Sequence, residues 1–154
     1  MRKIWMPIAG IVLSCVLTGT ALAGADGAAV YQRCSVCHQS TGRGIPGVFP
    51  PLAGHAPELV SASRTYPVQV VLFGLEGKIE IAGKNYNGKM LAHGDTLKDD
   101  EIAAVLNYIL ASWGNGKMLP KGHKKYTAAE VKAQRAKKLT PGKVYEARQK
   151  LKTE

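Results

Sequence analysis

The stretch from Asp26 to His38, which closes on Cys34-Ser35-Val36-Cys37-His38, decides how the rest of this chain is read. Two thiols three positions apart followed directly by an imidazole form the C-x-x-C-H sequence. In that arrangement each thiol can add across a vinyl group of haem while the histidine is set beneath the iron. The same cysteine spacing suits a thioredoxin-like redox pair or half of a zinc site. The first has no use for His38 and expects a βαβ setting, and the second needs another ligand pair that the chain lacks. One covalent haem c is therefore the expected cofactor. The thiol spacing calls for a helix: Asp26 is a suitable N-cap, and Ala28, Ala29, Val30 and Tyr31 lead into Cys34 with helix-compatible residues.

Upstream of this helix the chain reads as a targeting segment. Arg2 and Lys3 precede an apolar run from Ile4 to about Leu17, and Ala21-Leu22-Ala23 offers a small-x-small cleavage site, so residues 1–23 are expected to be a signal peptide. Pro7, Gly10 and Ser14 interrupt the run, which weighs against a permanent anchor. Val12-Leu13-Ser14-Cys15 loosely matches a lipidation site, but the residues after it stay apolar through Ala23. Export to the periplasm follows, and with it an oxidising compartment.

An iron held by His38 needs something on its other face. The exported part of the chain offers Met90, Met118, His55, His93 and His123. Met90 is the choice: it lies 52 residues after His38, follows a turn signal at Asn87-Gly88, and precedes the strongest amphipathic helix. Thioether ligation raises the potential relative to a second imidazole and leaves no open position, which makes a carrier and not an enzyme.

Between these ligands lie the supports. Thr41 to Gly54 is a Gly/Pro-rich loop suited to lying against a flat ring, and Pro50 is a candidate carbonyl for the second nitrogen of His38. Tyr66 to Leu75 reads as a helix ended by Gly74 and Gly77, with Val70, Val71 and Phe73 as core or haem contacts. Lys78 to Ala82 alternates polar and apolar residues and, with Tyr86-Asn87-Gly88, predicts a small hairpin leading to Met90. Arg64 and Tyr66 are candidate propionate contacts, alongside their plainer readings as a solvated arginine and a core tyrosine. Asp99 to Trp113 is the clearest helix, with Ile102, Val105, Leu106, Ile109 and Trp113 on one face.

These residues together resemble the class I monohaem cytochromes c. Members of that family begin with a helix carrying C-x-x-C-H, present a loop like Phe49 to Gly54, and offer a methionine after a sequence like Tyr86-Asn87-Gly88. They end in a helix like Asp99 to Asn115. The resemblance spans 26–116 and implies an all-α class I cytochrome c fold with a small β-hairpin. It assigns the iron ligands to His38 and Met90 and the proximal carbonyl to Pro50. Many relatives have proline directly after the ligand methionine, whereas Leu91 stands here, so a different local loop is implied.

The remaining residues carry the charge. The full chain has 21 basic and 11 acidic side chains, net +10. Residues 24–116, the cytochrome c domain, are net −1, while 117–154 are net +9. Thr127-x-x-Glu130 is a capping box and Thr140-Pro141 a cap before a first-turn proline, so two short helices are expected there. Val131, Leu139, Val144, Tyr145 and Leu151 give this extension something to pack on the core. It reads as a clamp over the core, as steering toward an acidic partner or an anionic membrane surface, or as both. For an exported haem protein, nucleic acid is not the expected partner despite the charge.

From Lys117 onward the chain is similar to the C-terminal extensions of cytochromes c from thermophilic bacteria that donate to a haem-copper terminal oxidase. The resemblance implies a one-electron carrier that accepts from a quinol-oxidising complex through transient protein–protein contacts. Two further readings stay open: a donor or subunit of a periplasmic dehydrogenase or nitrite reductase, and an open-iron haem enzyme or gas sensor.

Overall fold

A computed structural model describes residues 24–152; residues 1–23, expected to be a signal peptide, and Cys15 with them, lie outside the described residues. Helix α1 (Gly27–His38) starts at Asp26, whose carboxylate accepts the Ala28 N–H at 2.9 Å. It crosses α4 (Asp99–Ala111), which presents Ile102, Val105, Leu106 and Ile109 as a fully buried face. The crossing is close because Gly27 has no side chain: a Cβ there would stand 2.3 Å from the Ala104 carbonyl oxygen.

Two short helices, α2 (Ala56–Ala62) and α3 (Tyr66–Phe73), complete the core. Nothing in the sequence reading anticipated α2; it is about two turns long, with Pro57 in its first turn. Helix α3 ends at Phe73, two residues before the expected Leu75, because Gly74 at φ 77 caps it and Leu75 passes into a strand.

Four short strands follow, β1 (Leu75–Glu76), β2 (Ile79–Ile81), β3 (Lys84–Tyr86) and β4 (Lys89–Met90). β2 and β3 form the hairpin, but its turn is Ala82-Gly83, both at positive φ (49 and 72), as a two-residue hairpin turn requires. Asn87-Gly88, expected to shape the hairpin, instead links it to β4. That strand pairs with β1, setting Leu75 opposite Met90.

Helix α4 ends two residues before the expected Trp113. Trp113 itself has φ 52 and is half-buried: its ring packs on Tyr31 (centroids 5.1 Å apart) and its Nε1–H donates to the Ser40 carbonyl at 3.2 Å. A 3-10 helix, Asn115–Met118, then leads into the extension.

The extension holds the two expected helices, α5 (Ala128–Arg135) and α6 (Pro141–Gln149). The Thr127 hydroxyl accepts the Glu130 N–H (3.3 Å) while the Glu130 carboxylate accepts the Thr127 N–H (2.9 Å), and the Thr140 hydroxyl accepts the Lys143 N–H (3.3 Å). Val131 and Val144 are fully buried, whereas Leu139, Tyr145 and Leu151 are half-buried. α5 lies on α3 and α4, and α6 on α3 and β1. Among the described residues no helix is long and apolar enough to cross a membrane.

Candidate haem site

Helix α1 sorts its last residues by direction. Val36 faces solvent, 76% exposed, while Cys34 and Cys37 are half-buried and unpaired, and His38 turns into the protein. Burial pushes the Cys34 thiol pKa up, the neighbouring Cys37 adds to this, and Arg33 opposes it.

The His38 Nδ1–H donates to the Pro50 carbonyl at 2.9 Å. With that nitrogen holding the proton, Nε2 is left with a free lone pair, the state an iron ligand needs. Burial lowers the His38 pKa, the Pro50 bond opposes the shift, and the proximity of His93 reinforces it. Burial favours the neutral ring, and the Pro50 carbonyl keeps its proton on Nδ1.

The loop from Gln39 to Gly54 sets the Pro50 carbonyl in place. The Gly44 N–H donates to the His38 carbonyl (3.0 Å), and Leu52 and Ala53 both donate to the Gly42 carbonyl (2.7 and 2.9 Å). Gly44 is required: at φ 62, a Cβ would come within 2.2 Å of the Phe49 carbonyl oxygen and 2.6 Å of that of Pro50. Asn115, fully buried, ties the far end of the loop. Its Oδ1 accepts the Gly54 N–H (2.7 Å), and its Nδ2 donates to the carbonyls of Leu52 (3.2 Å) and Ile109 (2.8 Å).

Met90 is half-buried at the end of β4, against the apolar cluster that also includes Cys34, Leu52 and Phe73. The other possible ligands are placed differently. Met118 is 51% exposed on the 3-10 helix. The His55 Nδ1 is bonded to the Glu58 carboxylate at 2.7 Å, and His123 stacks edge-on against Tyr126. His93 lies on the same segment as Met90 and within electrostatic reach of His38.

Arg64 and Tyr66 part company. Each nitrogen of the Arg64 guanidinium bonds the extension: Nε to Glu130 (2.7 Å), and the other two to the carbonyls of Lys124 (2.9 Å) and Lys125 (3.2 Å). Its plane also lies over the Tyr126 ring, 4.4 Å from the centroid. The expectation of a propionate contact at Arg64 gives way to this role as a tie between core and extension. Tyr66 Oη, by contrast, is buried with no hydrogen-bond partner. Burial raises its pKa, and the nearby charge of Arg148 works the other way.

Arg148 was missed by the sequence reading. It is only 7% exposed, on the same face of α6 as the fully buried Val144. Its charge reaches His55 as well as Tyr66. The signal was present: once Val144 is placed inward, the residue four positions on shares its face.

This donor set suits a covalent haem. It comprises two free thiols beside a neutral imidazole with one available nitrogen, a thioether among apolar side chains, and a buried phenol donor without an acceptor beside a buried cation, fitting a carboxylate.

Comparison with known proteins agrees. Residues 24–113 match the family model described as Cytochrome c. The chain is 54% identical to cytochrome c-552 of Thermus thermophilus over 88% of its own length and 92% of that protein. It is also 34% identical to the cytochrome c subunit of a quinone alcohol dehydrogenase from Gluconacetobacter polyoxogenes, and 33% identical to that of a gluconate 2-dehydrogenase from Pantoea cypripedii. Those matches span 60% and 58% of this chain but 20% of each relative. The chain therefore belongs to the cytochrome c family, as a class I member that binds one covalent haem c and carries electrons.

Proposed function

We propose that Cys34 and Cys37 carry the haem, that His38 and Met90 are its axial ligands, and that the protein works in the periplasm after loss of residues 1–23. There it takes electrons from a quinol-oxidising complex and passes them to a haem-copper terminal oxidase. The observation that carries this reading is the His38 bond to Pro50, which fixes the ring on the helix that bears both thiols. Haem iron with imidazole and thioether ligands cycles between ferrous and ferric states, at a potential raised by the thioether.

The residues around it have separate tasks. Pro50 orients the imidazole and raises its basicity. Asn115 and Gly44 hold Pro50 where His38 can reach it. Tyr66, with Arg148 beside it, offers a donor and a positive charge to a haem carboxylate. Arg64 serves the extension instead. Residues 24–116 form the cytochrome domain, and 117–154 a basic helical appendage whose ten lysines are exposed. These lysines favour encounter with an acidic protein or an anionic membrane surface.

Two measurements test this. The ferric protein should show the thioether-to-iron charge-transfer band, and the ferrous protein should bind carbon monoxide poorly; loss of the band with ready carbon monoxide binding would sink Met90 as ligand. Oxidation of the reduced protein by a haem-copper oxidase should be rapid and slow with added salt. Salt-independent rates would remove the steering role of the lysines. Likeness to dehydrogenase cytochrome subunits favours a second reading, donation to or from a periplasmic dehydrogenase, which faster exchange with such an enzyme would support.

A further inference from the structure

The segment that presents Met90 is fastened at both ends by the C-terminal helices. Upstream, β4 is paired with β1 over two residues per strand, with an exposed Glu76–Lys89 ion pair (2.9 Å) across the ladder. β1 runs directly into Gly77-Lys78, and Tyr145 of α6 closes on that turn. Its hydroxyl donates to the Lys78 carbonyl at 2.9 Å. Its ring lies so near Gly77 that a Cβ there would stand 2.6 Å from two ring carbons.

Downstream of Met90, the His93 and Gly94 N–H groups donate to the carbonyls of Val71 (2.9 Å) and Leu72 (3.1 Å) at the end of α3. Arg135 of α5 completes the attachment. Its guanidinium donates to the carbonyls of Gly94 and Leu97, the latter at 3.0 Å, and its Nε pairs with Asp99 at 2.8 Å. Both bracing side chains stand on anchored helices, since Val131 and Gln134 are buried beside Arg135, and Val144 and Arg148 beside Tyr145.

A ladder of two residues per strand is too short to hold its own shape, and segments with few buried contacts open at low cost. We propose that Tyr145 and Arg135 are positioning residues for Met90. The C-terminal helices hold the two flanks of its segment and so suppress local opening that would withdraw the thioether. The inference rests on Met90 being a ligand. It assigns the extension a task distinct from covering the core: setting how often the sixth position falls open.

The test uses full-length ferric holoprotein and imidazole as a competing ligand, which binds only when Met90 has left. Its apparent affinity therefore rises by the same factor as the open fraction. Tyr145→Phe removes one hydrogen bond and is expected to tighten imidazole binding about fivefold, followed by loss of the charge-transfer band. Arg135→Met should exceed this, with Arg135→Lys between it and wild type. Asn107→Ala is the control. It cuts the paired bonds to the Tyr126 backbone (2.7 and 3.0 Å) that tie in the extension away from Met90. It should lower the guanidinium midpoint followed by circular dichroism yet leave imidazole affinity within about twofold of wild type.

Unchanged affinity in the Tyr145 and Arg135 variants overturns the proposal. So does an Asn107→Ala effect as large as theirs, because stability in general would then explain the opening. A wild-type protein without the charge-transfer band would instead remove Met90 as ligand, and the two failures are told apart by that spectrum alone.

Discussion

Replacing Asn115 with alanine tests the link between the end of α4 and the loop that holds His38. The side chain is fully buried and makes three hydrogen bonds, accepting one from Gly54 and donating to Leu52 and Ile109. At roughly 1 kcal/mol net per bond, with the Gly54 N–H left without its partner, the loss comes to about 3 kcal/mol. With a guanidinium slope of roughly 3 kcal/mol per molar, the unfolding midpoint falls by about 1 M. Asn115→Asp gives a sharper test. Aspartate can still accept from Gly54 but turns a carboxylate oxygen toward two carbonyls, so at neutral pH it should cost at least as much as alanine. Part of that loss should return in acid, when the protonated carboxyl can donate. Both variants should raise the reduction potential, because a loosened Pro50 carbonyl makes His38 a poorer electron donor to iron. An Asn115→Ala midpoint within about 0.2 M of wild type, or an aspartate variant as stable as wild type at neutral pH, would refute this account of the loop.

Three other outcomes are expected. Gly44→Ala forces a Cβ against the Phe49 and Pro50 carbonyls at φ 62, and should cost more than about 2 kcal/mol in denaturant unfolding. Tyr66→Phe removes a hydroxyl that has no protein partner, so polypeptide stability should change little while the reduction potential shifts; an unmoved potential would exclude the carboxylate contact. The His55 pKa is lowered by burial, against the pull of Glu58 and with help from Arg148. The native state therefore disfavours His55 protonation, and the stability this gives is present above about pH 6.5 and declines as pH falls toward the folded value. His55→Gln should flatten that part of the stability profile, measured by unfolding midpoints across the range.

Most of the architecture was legible because its signals are local. Asp26, Thr127 and Thr140 announce helix starts by cap chemistry, and the apolar face of α4 repeats with helical spacing. Cap and period say nothing about where a chain must bend to pack. Trp113 keeps the α4 spacing but leaves the helix at φ 52 so that its ring can meet Tyr31, a contact set by α1 and not by its neighbours in sequence. The hairpin turn was misplaced for a similar reason. Asn87-Gly88 is the stronger turn signal, yet Ala82-Gly83 takes the turn because that register buries Ile81 and Tyr86 together. At the site, the C-x-x-C-H residues are legible as a contiguous motif. Arg64, Tyr66 and Arg148 were not separable in sequence, since only the fold decides that Glu130 comes within 2.7 Å of the first and that the third lies near the second.

The charge of the extension divides by residue type, which reconciles the clamp with the steering reading. Its two arginines, Arg135 and Arg148, turn inward, while its ten lysines are exposed. A guanidinium offers five donors in a rigid fork and is weakly hydrated, so one Arg135 can bond two backbone carbonyls and Asp99 at once. An ammonium is compact and strongly hydrated, and gains little by leaving water. Arg135→Lys keeps the net charge but cannot reproduce the fork. Exchanging exposed lysines such as Lys124 or Lys137 for glutamine lowers the charge and leaves every bond of Arg135 in place. The two kinds of substitution therefore act on different properties: the first on how firmly the segment around Met90 is held, the second on how the protein meets a partner across salt.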